Sequence, residues 1–126
     1  MTIRFDSDTP IYQQVAEEIE DGILTGAFAE GTQVPSTTEI AVTYQINPAT
    51  VLKGITQLAD GGILFKKRGV GMFVSEGAVQ RILHKRRQAF YERYVSVLLE
   101  EAEKLQISRE ELLKMIQGGN GNEIID

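Results

Sequence analysis

Cysteine and tryptophan are absent from this 126-residue chain, and histidine occurs once. Without cysteine there is no disulfide and no thiolate metal site, and nothing points to an oxidising compartment. The one histidine, His84, sits beside Lys85, Arg86 and Arg87, cations that repel a metal ion, and no second imidazole is present; no metal site is expected. Long apolar runs are missing too. The first twenty residues carry Arg4, Asp6, Asp8, Glu17, Glu18 and Glu20, so neither a signal peptide nor a transmembrane span is expected, and the protein should be soluble, cytoplasmic and without a membrane partner.

Positive charge is scarce where it would matter for an anionic partner. The net charge is −5, and residues 1–75 hold five cations (Arg4, Lys53, Lys66, Lys67, Arg68) against nine acids. Four of the five fall on one helical segment and the hairpin after it. Enzyme chemistry finds little support. Glu17, Glu18, Glu20 and Asp21 cluster on a helical face without a nucleophile, base or phosphate loop. Gly69-Val-Gly71 lacks the strand-to-helix setting of a nucleotide loop. No catalytic residue and no cofactor is expected.

With 42% hydrophobic and 25% charged residues, the chain fits one core plus an extension. Thr9 as N-cap and Pro10 in the first turn open a helix in which Ile11, Val15, Ile19 and Ile23 recur every fourth residue; Tyr12 and Leu24 widen the stripe. Its acidic residues should all be solvated. Gly26 ends it, and Thr32-Gln-Val34 predicts a short strand before Pro35. Ser36-Thr-Thr-Glu39 is a capping box for a second helix over residues 37–43 that buries Ile40 and Ala41. After a brief turn, Asn47 caps and Pro48 opens a third helix, in which Val51, Ile55 and Leu58 face inward and Thr50, Lys53 and Gln57 do not. Two short capped helices a few residues apart describe a helix-turn-helix.

Gly61-Gly62 stops the third helix. Ile63-Leu-Phe65 and Met72-Phe-Val74 then predict a β-hairpin whose tip, Lys66-Lys-Arg-Gly-Val-Gly71, gathers three cations on a glycine turn. From Ala78 to Leu105 there is no Gly or Pro, which predicts one long helix with an apolar stripe of Phe90, Tyr94, Val97, Leu98, Ala102 and Leu105. Ser108 and Glu111 cap a last helix, stapled by Ile107 onto Leu112 and carrying Leu112, Leu113 and Ile116. The tail, Glu123 to Asp126, should fray. Helices leaving a small domain cannot cover their own apolar faces, and a second copy of the chain is the economical partner: Phe90, Tyr94, Val97, Leu98, Ala102, Leu105, Leu112, Leu113 and Ile116 form the expected dimer interface.

The order of these pieces resembles the GntR family of bacterial transcription regulators. The residues that carry the resemblance are Pro10-Ile-Tyr-Gln13, Gly26 to Gly31, Pro35-Ser36, Ile40-Ala41, Asn47-Pro48, Thr50-Val51, Lys53, Leu58, Gly62, Ile63, Arg68-Gly69, Gly71 and Phe73-Val74. The short C-terminal helices are similar to the YtrA type within that family, in which this region dimerises and the large effector domain of other members is absent. The resemblance implies a mainly α fold with a small β-hairpin: a winged helix-turn-helix DNA-binding domain over residues 1–76 and a two-helix dimerisation region over 77–126. It also implies a repressor that binds a palindromic double-stranded DNA operator as a homodimer. The chain departs from the family at Thr38, where an arginine is usual, and at Gly54-Ile55, where an Ala-Tyr pair is frequent.

On this reading Asn47, Pro48, Ala49 and Thr50 face base edges, and Lys53 contacts phosphate or guanine. Ser36, Thr37 and Thr38 hold a phosphate at a helix N-terminus. Lys66, Lys67, Arg68, Gly69 and Gly71 form a wing on the minor groove or backbone. The plainer alternative is that Asn47 and Ser36 only cap, Thr50 packs, Lys53 is solvated, and the hairpin cations only guard an exposed edge. His84 to Arg87 fit a solvated face or flanking phosphates. A winged-helix protein-interaction module without specific DNA binding is the competing function. A cleft for a small molecule at Phe90, Tyr91 and Tyr94 competes with core packing, and the sequence identifies no effector.

Overall fold

The computed structural model describes residues 8–118, and the chain divides between Lys85 and Arg86 into two compact units. In the first unit, α1 (Ile11–Leu24) lays Val15, Ala16, Ile19 and Ile23 into the core. Pro10 takes the N-cap position with extended ψ of 145°, and no side chain caps the helix, so the expected Thr9 cap is displaced by one residue. Thr9 contributes its carbonyl, which accepts a 2.8 Å hydrogen bond from Gln14 Nε2. Ile11, in the first turn, is exposed instead of continuing the stripe. Glu20 also departs from expectation: it is buried, against Lys85 of α4 (Ala78–Phe90), whose ammonium pairs with it. A carboxylate one residue past Ile19 falls under the covering helix, and the Lys85 ammonium offsets the cost of burying it there.

α2 (Thr37–Tyr44) and α3 (Pro48–Asp60) form the helix-turn-helix. The Ser36 box is complete: Ser36 Oγ accepts from the Glu39 N–H at 3.0 Å, and Glu39 Oε1 accepts from the Ser36 N–H at 3.2 Å. Gln45 ends α2 in the left-handed region at φ 53°, and the Ile46 N–H returns to the Ala41 carbonyl at 3.0 Å, which buries Ile46 and turns the chain into α3. α3 buries Val51, Gly54, Ile55 and Leu58, largely against α1. Gly54 permits that approach, because a Cβ there would stand 2.6 Å from the Tyr12 carbonyl oxygen. Each fully buried Ile, Leu or Val in this layer contributes about 1.5–3 kcal/mol by leaving water.

The hairpin pairs β1 (Leu64–Lys67) with antiparallel β2 (Gly71–Val74) in the register Leu64↔Val74, Phe65↔Phe73, Lys66↔Met72, Lys67↔Gly71. The expected strand at Thr32-Gln-Val34 shrinks to one bridge, Gln33↔Phe73. Pro35 has no N–H to extend the ladder, and the chain leaves at once for the Ser36 cap. Lys66 and Lys67 are strand residues, so the turn proper is Arg68-Gly69-Val70 and the expected three-cation tip carries one cation. Ala78 and Ile82 of α4, beyond the boundary expected at residue 76, belong to the first core.

Glu30 holds the start of α4. Its carboxylate accepts from the Gly77 N–H at 2.9 Å and the Val79 N–H at 3.1 Å. Those two bonds hold its pKa below the ordinary 4.5, with Arg81 adding a smaller pull against slight desolvation. A lowered folded pKa means that the stabilisation is complete above the unfolded value and is lost as pH falls through the folded one. Glu30→Gln should therefore lower the urea midpoint at neutral pH, and the gap between variant and parent should close on acidification below about 4.5. A pH-independent gap would contradict this assignment.

Residues 78–104 are helical throughout, as expected, with one irregular turn. Tyr91–Val95 form a π-helical turn, closed by the Ser96 N–H on the Tyr91 carbonyl, before α5 (Ser96–Lys104). The extra residue rotates later side chains by about 100° relative to earlier ones. Leu105 and the left-handed Gln106 (φ 58°) end α5, with the Ile107 N–H on the Ala102 carbonyl at 2.8 Å. Ser108 Oγ accepts from the Glu111 N–H at 3.1 Å and starts α6 (Arg109–Gly118). Ala102 and Leu112 are buried inside the second unit and line one cleft with Ile107. The frayed tail expected at Glu123 to Asp126 lies outside the described residues.

Candidate nucleic-acid interface

The N-terminal half of α3 is set by two local devices. Asn47 Oδ1 accepts from the Ala49 N–H at 2.8 Å, and Pro48 supplies a helical φ at the first position. Pro48, Ala49, Leu52, Lys53 and Thr56 are exposed, while Thr50 is half-buried. Lys53 is not freely solvated: its ammonium lies 4.0 Å from the centre of the Tyr12 ring. Such a contact is worth about 0.5–1 kcal/mol at an exposed site and orients the cation without neutralising it.

At the start of α2, the capping box engages both the N–H and the hydroxyl of Ser36, and Glu39 places a carboxylate there. Thr37 is half-buried and Thr38 exposed, so Thr38 is the most accessible of the three. On the hairpin, Phe65, Lys67 and Phe73 share one face, with the Lys67 ammonium 4.1 Å from the Phe73 ring centre; Lys66 points to the other face. Arg68 and Gly69 occupy the turn. Gln33 Nε2 donates to the Val70 carbonyl at 2.9 Å, and Gly71 (φ 142°) leaves room for that amide, which a Cβ would strike. The structure thus gathers α2's first turn, α3's first turns and the wing in one unit. It adds Tyr12, Gln33 and Leu52, none of them expected from sequence. Tyr12 lay within the Pro10-Ile-Tyr-Gln13 match; Gln33 carried no signal, because its partner is remote in the chain.

The sequence model of the gntR family of bacterial regulatory proteins matches residues 11–74, from the start of α1 through β2. The chain belongs to the GntR family. This is a family of transcription regulators, not of enzymes. Over nearly its whole length the chain is similar to the HTH-type transcriptional repressor YtrA of Bacillus subtilis, at 29% identity across 93% of this chain and 95% of that protein. A GntR-family regulator from Bacteroides thetaiotaomicron has the same winged fold: TM-score 0.73, 35% identity, 87% of this chain and 99% of the other covered. The DNA-binding domain of AraR, solved in complex with operator ORX1, matches at TM-score 0.52 and 28% identity over 60% of this chain and 93% of that one. Among the described residues no helix is long and apolar enough to cross a membrane, and no group of three or more His, Cys, Asp or Glu could hold a metal ion.

Proposed function

We propose that this GntR-family chain is a cytoplasmic transcriptional repressor that binds a palindromic operator as a homodimer. α3 enters the major groove by its N-terminal turns, through Asn47, Pro48, Ala49, Thr50 and Lys53. The Arg68-Gly69 turn, with Lys66, Lys67 and Gly71, follows the backbone or minor groove, and Ser36, Thr37 and Thr38 approach phosphate. The similarity to YtrA and to an operator-bound AraR domain supports the DNA partner. The observation that carries the dimer is an apolar surface on the second unit. Phe90, Tyr94, Val97, Leu98, Leu105, Leu113 and Ile116 are all at least 42% exposed in the single chain, and so many large apolar side chains left in water within residues 90–116 favour a second copy of the chain as their cover. Ala102 and Leu112, expected from sequence in the interface, are buried within the unit and so are not offered to a second chain. The dimer sets the distance between the two α3 helices and hence the half-site spacing.

Sedimentation of the free protein and of its complex with a selected operator tests the reading: two chains per duplex are expected, and one chain per specific complex would overturn it. Absence of any sequence preference across a salt series would favour the protein-interaction alternative.

Lys53→Ala should weaken binding about equally across sequences and reduce the slope of log K against log salt by about one. Tyr12→Leu, which removes the aromatic face that orients the cation, should cost less, and adding it to Lys53→Ala should cost nothing further. A double variant whose losses simply add would show that the Tyr12–Lys53 contact plays no part in DNA binding.

A further inference from the structure

Beside the groove-facing residues assigned above, α3 exposes a strip of short side chains. Leu52 is 53% exposed, and Ala49 and Thr56 stand on the same side at helical spacing. Lys53 is drawn onto the Tyr12 ring of α1, which leaves Ala49, Leu52 and Thr56 as an alkyl strip. With Tyr12 and Lys53 these residues line an open cleft of about 500 Å³; Gln57 and Asp60 line it further along the helix. The strip bears no guanidinium for guanine O6 and N7 and no amide for adenine N6 and N7. An alkyl group finds one partner in the major groove, the C5-methyl of thymine.

We infer that Leu52, flanked by Ala49 and Thr56, selects thymine by its methyl group, so that each half-site places a thymine against Leu52 while Lys53 engages the backbone. The inference rests on the reading of α3 as the groove helix, and charge agrees with it: the cation beside the strip matches the phosphates that flank the thymine. The exposure of Leu52 is then functional, and truncating it leaves the core intact.

Uracil scanning tests this with the full chain. An operator is recovered by selection from random duplexes, and each thymine is replaced singly by uracil, which removes the methyl and keeps base pairing. At one or two positions per half-site, affinity should fall about fourfold, the fold-change that burial of one methyl predicts. In Leu52→Ala the same uracil duplexes should bind as the thymine duplex does. If binding is sequence-specific yet indifferent to uracil everywhere, the inference is overturned and the operator reading stands. Uracil sensitivity that persists undiminished in Leu52→Ala overturns the assignment to Leu52. Absence of any sequence-specific binding overturns the operator reading and this inference together.

Discussion

Glutamate at both Val97 and Leu98 is expected to leave a folded monomer whose operator affinity is lower by about 10²–10⁴-fold, the loss when two linked binding events become independent. Both side chains are exposed in the single chain, at 47% and 42%, so the charges meet water there and cost the fold little. Across a dimer interface the same charges would be buried without partners, at a cost of several kcal/mol. Sedimentation should show the monomer, circular dichroism an unchanged helix content, and DNA titration the loss. If the variant remains a dimer with parental affinity, the second unit's apolar surface is not the dimer contact. Leu112→Glu is a different experiment, since Leu112 is buried within the unit and its replacement should unfold α6.

Alanine at Gly54 should destabilise the first unit, although alanine is the better helix former. Propensity favours the substitution by about 1 kcal/mol. Against this, the new Cβ would meet the Tyr12 carbonyl oxygen at 2.6 Å and the Val15 side chain at 3.3 Å. The nearest obstacle is backbone, which cannot swing aside, so α1 and α3 must separate. Overpacking of this kind costs about 1–3 kcal/mol, so the net expectation is a loss of up to about 2 kcal/mol. Valine at this position should cost more. Urea denaturation measures the change, and an increase in midpoint for Gly54→Ala would show that α1 gives way more easily than the contact implies. DNA affinity should fall as well, because moving α1 displaces the Tyr12 ring from Lys53.

Gly54 shows how the legibility of this chain divides. From sequence it is a weak point in a recognition helix; in the structure it is the point of closest approach between two helices. Only the tertiary contact distinguishes a defect from a fit. Glu20 belongs with it, since four acids on one helix look alike until α4 covers one of them and supplies Lys85. The three adjacent cations of the hairpin were plain, but the strand register, which puts Lys66 and Lys67 opposite Met72 and Gly71 and leaves Arg68 in the turn, depends on a partner strand. The π turn at Tyr91–Val95 is a one-residue change in hydrogen bonding within a good helical sequence, and periodicity does not register it.

Devices that act within a few residues were legible from the chain. The Ser36–Glu39 box, the Asn47 cap, Pro48 at the first helical position, the Gly61-Gly62 stop and the Ser108 cap all close their bonds locally, so residue type and spacing suffice to predict them. With the apolar periods of α1 and α3 they determined the helix-turn-helix. Tyr12 over Lys53, Gln33 on Val70 and Glu30 on the first amides of α4 join residues far apart in the chain. Which side chains meet across such distances follows from how the elements pack, and that was decided by the tertiary structure alone.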